Sequence, residues 1–124
     1  NGVIDKVNIK TSIINITDVH AKKPLKNYDL YCMTKAALEL QTQILATKFA
    51  PYVRVNSIAP GAILWPENNN GLSLSMKKKI IEQTPLKIIG GTKPILQAAL
   101  HFIDNKFITG TSLEVDGGIL RIAN

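Results

Sequence analysis

Ser12-Ile13-Ile14-Asn15-Ile16-Thr17-Asp18 and Val53-Arg54-Val55-Asn56-Ser57-Ile58-Ala59-Pro60-Gly61 decide the fold of this chain. The first is a short, β-branched, mostly apolar run, the pattern of a strand buried on both faces, and the second reads as another strand, ended by Pro60-Gly61. The stretch between them has a different period. From about Tyr28 to Ala50 the apolar residues Leu30, Ala37, Leu38, Ile44 and Leu45 recur at helical spacing. Asn27 or Asp29 can serve near its cap, and Pro51 stops it. A strand, a long helix and a second strand imply parallel pairing through a right-handed crossover.

Working outward, Asp18 to Asn27 reads as a loop, with Lys22, Lys23 and Pro24 inside it. After Pro60-Gly61 a loop rich in turn formers runs through Asn70 and Gly71, followed by a short helix from about Ser75 to Gln83. Thr92 precedes Lys93-Pro94, a helix start with proline in the first turn, and that helix runs to about Asp104. Thr111 to Val115 reads as a third strand, closed by Asp116-Gly117-Gly118. The expectation is an α/β fold with about three parallel strands and flanking helices, one unit over residues 1–124 without internal repeats.

In open parallel sheets, ligands bind beyond the carboxyl ends of the strands. Asp18 follows the first strand, Pro60-Gly61 follows the second, and Tyr31 opens the intervening helix, so all three are expected on one rim. Tyr31 and Lys35 lie four apart and share a helix face. An ammonium beside a phenol stabilises phenolate and pulls a tyrosine pKa of about 10 towards neutrality. The positive end of the helix dipole acts in the same direction. A tyrosine tuned in this way donates a proton near neutral pH, and Asp18 supplies a carboxyl beside it. Alternatively, Asp18 is a strand-end carboxylate that caps nearby backbone amides.

Composition excludes several classes. Charged residues make up 19% and hydrophobic residues 45% of 124 residues, ordinary for a globular chain. No apolar stretch approaches the roughly 18 residues of a membrane span, so no membrane association is expected. The net charge of +6, from 15 basic and 9 acidic residues, suits an anionic ligand. The lysines are scattered without interleaved aromatics, and Lys77 to Lys79 read as a solvated helix face, so no nucleic-acid partner is expected. Cys32 is the one cysteine; it reads as a small buried helix residue and is compatible with a reducing, cytoplasmic setting. His20, read as a loop residue, and His101, on a helix surface, lack partners at ligand spacing, so no metal is assigned.

The order Asp18, Tyr31-x-x-x-Lys35, Val53 to Gly61, Ile108-Thr109-Gly110 and Val115-Asp116-Gly117-Gly118 resembles the second half of a short-chain dehydrogenase/reductase, from about Ser12 to Gly118. The resemblance implies the C-terminal half of a Rossmann-like doubly wound parallel sheet. It implies that Tyr31 is the acid/base and also touches the cofactor, that Lys35 tunes it and binds the nicotinamide ribose, and that Pro60, Gly61 and Ile63 line the nicotinamide. Most members carry serine where this chain has Asp18. An aspartate there, with the run Ala59 to Glu67, is similar to pteridine and dihydromonapterin reductases, in which a carboxyl suits protonation of a ring nitrogen during C=N reduction. That similarity implies NADPH as cofactor and a pterin or dihydrofolate substrate touched by Ser12, Asp18 and Tyr31. Trp65 either covers the bound ring or docks on the core. Asp116 reads as structural, fixing the Gly117-Gly118 turn.

No glycine-rich phosphate-binding motif occurs in the sequence; the glycine pairs are Gly90-Gly91 and Gly117-Gly118. The dinucleotide-binding half is therefore read as absent, and the chain alone is expected to be inactive. The edge beside the first strand should be bare and adhesive, favouring a homo-oligomer. Other readings stay open: another short-chain carbonyl or alcohol oxidoreductase, or a non-catalytic remnant or assembly module.

Overall fold

The structure, a computed structural model, describes residues 9–63 and 74–122. The elements run β1 (Thr11–Ile16), a short 3-10 turn (Val19–Ala21), α1 (Asp29–Lys48), β2 (Val53–Pro60), α2 (Leu74–Gln83), α3 (Thr92–Asp104), β3 (Ser112–Val115) and a second 3-10 turn (Ile119–Arg121). The three strands form one parallel sheet in the order β1-β2-β3. Thr11 pairs with Val53 and Ile16 with Ile58, while Ser57 pairs with Ser112 and Pro60 with Val115. Expected elements and observed ones coincide within two residues at most ends; β2 runs further, through Pro60.

Strand alternation assigns the helices to opposite faces. Ile14 and Ile58 share one face and pack with Ala98 and Phe102 of α3, together with Ile95 and Val115. On the other face Asn15 Nδ2 donates to Thr42 Oγ1 of α1 at 3.0 Å, and Ser112 Oγ donates to Glu39 Oε1 at 2.8 Å. Phe102, at 1% exposure, is the largest fully buried side chain and the centre of the α3 layer.

Arg54 is buried on the same face as α3, and its guanidinium closes the end of that helix. It donates to the carbonyls of Phe102 (2.5 Å), Ile103 (2.9 Å), Asn105 (3.0 Å) and Ile108 (3.3 Å). Phe102 and Ile103 carry carbonyls that a helix C-terminus leaves unpaired, Asn105 is the cap and Ile108 lies in the loop beyond, and the negative end of the helix dipole receives the charge.

The end of β2 meets the turn after β3 closely enough to require glycine: a Cβ on Gly61 would lie 2.8 Å from Asp116 Cα. Asp116 accepts from the backbone amides of Gly118 and Leu120, both at 2.8 Å, which fixes the turn as the sequence predicts. Gly117 and Gly118 both have positive φ, at 63° and 92°, a conformation that costs other residues more.

β1, read as a strand buried on both faces, is only part-buried, with Ile13 37% and Ile16 46% exposed, because it stands at the edge of the described sheet. Two further details go beyond the sequence reading. The apolar residues that mark α1 divide between two faces. Cys32, Thr42 and Ala46 are buried, whereas Leu30, Met33, Leu40 and Ile44 are 54–72% exposed. Helical periodicity locates the helix without saying which stripe faces the sheet, because both stripes are apolar. His20, read as loop, lies in the 3-10 turn with its Nδ1 3.0 Å from Lys23 O. Among the described residues no helix is long and apolar enough to cross a membrane.

Replacing Phe102 with alanine is expected to destabilise the chain by about 3–5 kcal/mol, the range for an aromatic cavity in a packed core. Urea unfolding followed by circular dichroism measures it; a loss below about 1 kcal/mol would mean that α3 is not packed as described.

Candidate active site at the carboxyl rim of the sheet

β1 ends at Ile16, and Thr17 stays in register through its amide bond to Ile58 O at 2.8 Å. Asp18 then turns out of the sheet with extended backbone (φ −163°, ψ 147°) and caps the 3-10 turn. Its two carboxylate oxygens have separate duties. Oδ1 accepts from the His20 amide at 2.8 Å, and Oδ2 accepts from Tyr31 Oη at 2.6 Å. Both sequence readings of Asp18 are thus realised at once, the backbone cap by one oxygen and the contact with the phenol by the other.

Tyr31 lies in the first turn of α1, where the helix aims it at the rim. Lys35 follows one turn on, with Nζ 5.8 Å from the centroid of the Tyr31 ring and donating to Ile16 O at 3.2 Å. The ammonium therefore sits over the ring and on the last carbonyl of β1, while the phenolic oxygen is given to Asp18.

This geometry overturns one expectation. The phenol of Tyr31 is pushed up to about 12, because it donates to the Asp18 carboxylate, and desolvation and the negative charge of Asp18 add in the same direction. A phenolate so close to a carboxylate is unfavourable, and the Lys35 ammonium stands 5.8 Å from the centroid of the ring, on Ile16 O.

Pro60, Gly61 and Ile63 come together around a slot of about 320 Å³ whose other walls are Ile16, Ala62 and Ile95. Ile16 joins the two parts of the site: its side chain lines the slot and its carbonyl holds Lys35. Lys35, Pro60, Gly61 and Ile63 are thus brought to one apolar slot with an ammonium beside it, the kind of place in which the nicotinamide ribose end of a dinucleotide would fit. Sequence reading missed Ile95, which comes from a helix more than thirty residues after the Pro-Gly turn and carries no local signal.

Ser12 does not join this group. It pairs with Arg54 near the amino end of β1. Asp18 lies six positions further along extended backbone, about 20 Å at about 3.3 Å per residue, too far for Ser12 to touch a ring held by Asp18 and Tyr31. Trp65, the other substrate-contact expectation, lies outside the described residues. No group of three or more metal-ligating side chains occurs among the described residues.

Comparison with known proteins agrees with this architecture. The family described as enoyl-(acyl carrier protein) reductase matches residues 3–120. The chain belongs to the short-chain dehydrogenase/reductase family. It is 34% identical to L-xylulose reductase of Caenorhabditis elegans over 89% of this chain and 45% of that protein. It is 33% identical to dihydromonapterin reductase of Citrobacter koseri over 87% of this chain and 44% of that protein. Among solved structures, the alternative dihydrofolate reductase FolM of Brucella canis, complexed with NADP, superposes with a TM-score of 0.81 at 28% identity, covering 91% of this chain and 44% of the other. The chain thus spans a little under half the length of the curated relatives it matches. The three parallel strands and flanking helices form part of a Rossmann-like sheet of this oxidoreductase family.

Replacing Asp18 with asparagine removes the charge that holds the Tyr31 proton. The Tyr31 titration, followed by tyrosinate absorbance or by ¹³C-labelled tyrosine, is expected to fall from about 12 towards the ordinary value. Because the folded-state value lies above the unfolded one, the contribution of this bond to stability is complete below about pH 10 and is lost as pH rises through about 12. In Asp18→Asn that alkaline loss should diminish; an unchanged Tyr31 titration would show that Asp18 does not control it.

Proposed function

We propose that this chain carries the catalytic residues of an NADPH-dependent reductase acting on a pterin ring. The observation that supports it is the carboxylate of Asp18 at 2.6 Å from Tyr31 Oη, where a neutral hydroxyl would serve a carbonyl reductase. Reduction of a C=N bond adds a hydride at carbon and a proton at nitrogen. The reduced nicotinamide supplies the hydride. Tyr31 Oη carries the proton and Asp18 Oδ2 accepts it on an open rim, so a ring nitrogen placed against Oη takes that proton from the phenol and solvent returns one to it. Lys35, Pro60, Gly61 and Ile63 hold the nicotinamide end. The dihydromonapterin reductase and FolM relatives support the pterin class. The single free thiol at Cys32 suits the cytoplasm.

The L-xylulose reductase relative favours a second reading, reduction of a sugar carbonyl. The test joins this chain to the amino-terminal half of a dihydromonapterin reductase. The joined protein is expected to oxidise NADPH with dihydromonapterin or dihydrobiopterin, and Asp18→Ser to slow that by about a hundredfold or more. Turnover of L-xylulose without pterin turnover would establish the second reading. This chain alone, lacking a glycine-rich phosphate motif, is expected to give no NADPH oxidation with dihydrobiopterin; measurable turnover would refute that.

The chain also forms a homo-oligomer in this proposal. Leu30, Met33, Ala37, Leu40 and Ile44 are spaced 3, 4, 3 and 4 residues apart, an exposed seam on the outer face of α1. An antiparallel copy sets Leu30 against Ile44, Met33 against Leu40 and Ala37 against itself, with opposed helix dipoles. Light scattering should give a dimer mass, and Leu40→Glu a monomer; a monomeric parent chain would remove this part of the proposal.

A further inference from the structure

The turn that carries Asp18 is tied by charge to the far strand of the sheet. Asp18, Val19 and the two lysines after them share one hydrogen-bonded turn. Ala21 N donates to Asp18 O at 3.0 Å, and the amides of Lys22 and Lys23 both donate to Val19 O at 3.1 Å. Val19 is buried, at 2% exposure. A displacement of Lys22 is therefore passed to Asp18 within a single turn of chain. Lys22 Nζ donates to Glu114 Oε1 at 3.0 Å, and Arg121 Nη2 donates to Glu114 Oε2 at 2.5 Å. Lys23 supports the same connection through Ile122 O.

Glu114 is itself held firmly. It belongs to β3 and pairs in register with Ala59, one residue before Val115 pairs with Pro60. Gly61 N donates to Val115 O at 3.0 Å, so the strand pair that bears Glu114 also bears the Pro60-Gly61 wall of the slot. Asp116 accepts from the Gly118 and Leu120 amides and fixes the turn that leads to Arg121. From the end of β1 to β3 is two inter-strand spacings, about 10 Å, and Lys22 with Glu114 closes that span. An isolated exposed ion pair holds a loop weakly. Here one carboxylate, with 19% of its side chain exposed, takes a cation on each oxygen. Without its charge, Lys22 and Arg121 would face each other as like charges.

We propose that Glu114 is a positioning residue of the candidate active site: through Lys22 it sets where the Asp18 carboxylate stands against the Tyr31 phenol. This rests on the reading of Asp18 and Tyr31 as the proton-delivering pair and deepens it, naming what holds their 2.6 Å contact in place. The tie is independent of which substrate is reduced.

The test uses the ¹⁵N-labelled chain with ¹³C-labelled tyrosine near neutral pH. The His20 amide, bonded to Asp18 Oδ1, and the Tyr31 Cζ signal, which follows the bond to Asp18 Oδ2, report the two sides of the carboxylate. Glu114→Gln is expected to speed hydrogen exchange at the His20 amide by about fivefold or more and to move the Tyr31 signal towards its position in Asp18→Asn. Lys22→Gln should do the same. These two variants change the local charge in opposite senses, so a direct field effect would move the reporters in opposite directions and would overturn the proposal. Lys22→Arg keeps the pair and should restore the parent behaviour. Salt of about 1 M should speed His20 exchange in the parent and leave Glu114→Gln unchanged. The Ser57 amide, bonded to Thr111 O at 2.9 Å within the sheet, should exchange at the parent rate in every variant. Equal acceleration at Ser57 and His20 would mean general loosening and would overturn a positioning role. Unchanged His20 exchange in both variants would also overturn it and leave the pterin reading, which turnover by the joined protein decides, standing.

Discussion

The parallel pairing of β1 with β2 over Thr11–Ile16 and Val53–Ile58 is the constraint on which the rest depends. Parallel strands must be joined by a crossover, and α1 is that crossover. The register brings Asp18 and Pro60-Gly61 out at the same end, and the start of the crossover brings Tyr31 to them. A shift of one residue would exchange the faces of β1, moving Asn15 off Thr42 and Ile14 off the α3 core. The site is thus a by-product of sheet register.

Within the site the distribution of hydrogen bonds differs from what residue spacing suggests. Four-residue spacing correctly puts Lys35 on the face of Tyr31, yet spacing is silent about competing acceptors. Ile16 O, exposed at the end of a strand, takes the ammonium, and Asp18 takes the phenol proton. Sequence gives the members of the group and their chemistry; the direction of the Tyr31 shift depends on which acceptor each donor reaches.

The fold was largely legible because its strands are short runs rich in β-branched residues and its turns carry proline, glycine or aspartate at the positions that need them. Ser12 was misplaced because a strand reads as one unit in sequence while its two ends lie on opposite sides of the sheet. The sequence located α1 but did not say which stripe faces the sheet, because a helix apolar on two faces has no preferred inner one. Arg54 was legible only as part of a strand; its role as the cap of α3 joins residues about fifty apart in sequence.

The loop that bears Asp18 is fastened by residues from the far end of the chain. Lys22 pairs with Glu114 at 3.0 Å, and Lys23 reaches Ile122 O at 2.6 Å. Glu114 also binds Arg121. Chains emerge from the ribosome amino end first, so this loop is synthesised more than ninety residues before its anchors. The loop can be fastened only once β3 and the turn after it have been synthesised, and until then β1 and α1 can assemble with it loose between them.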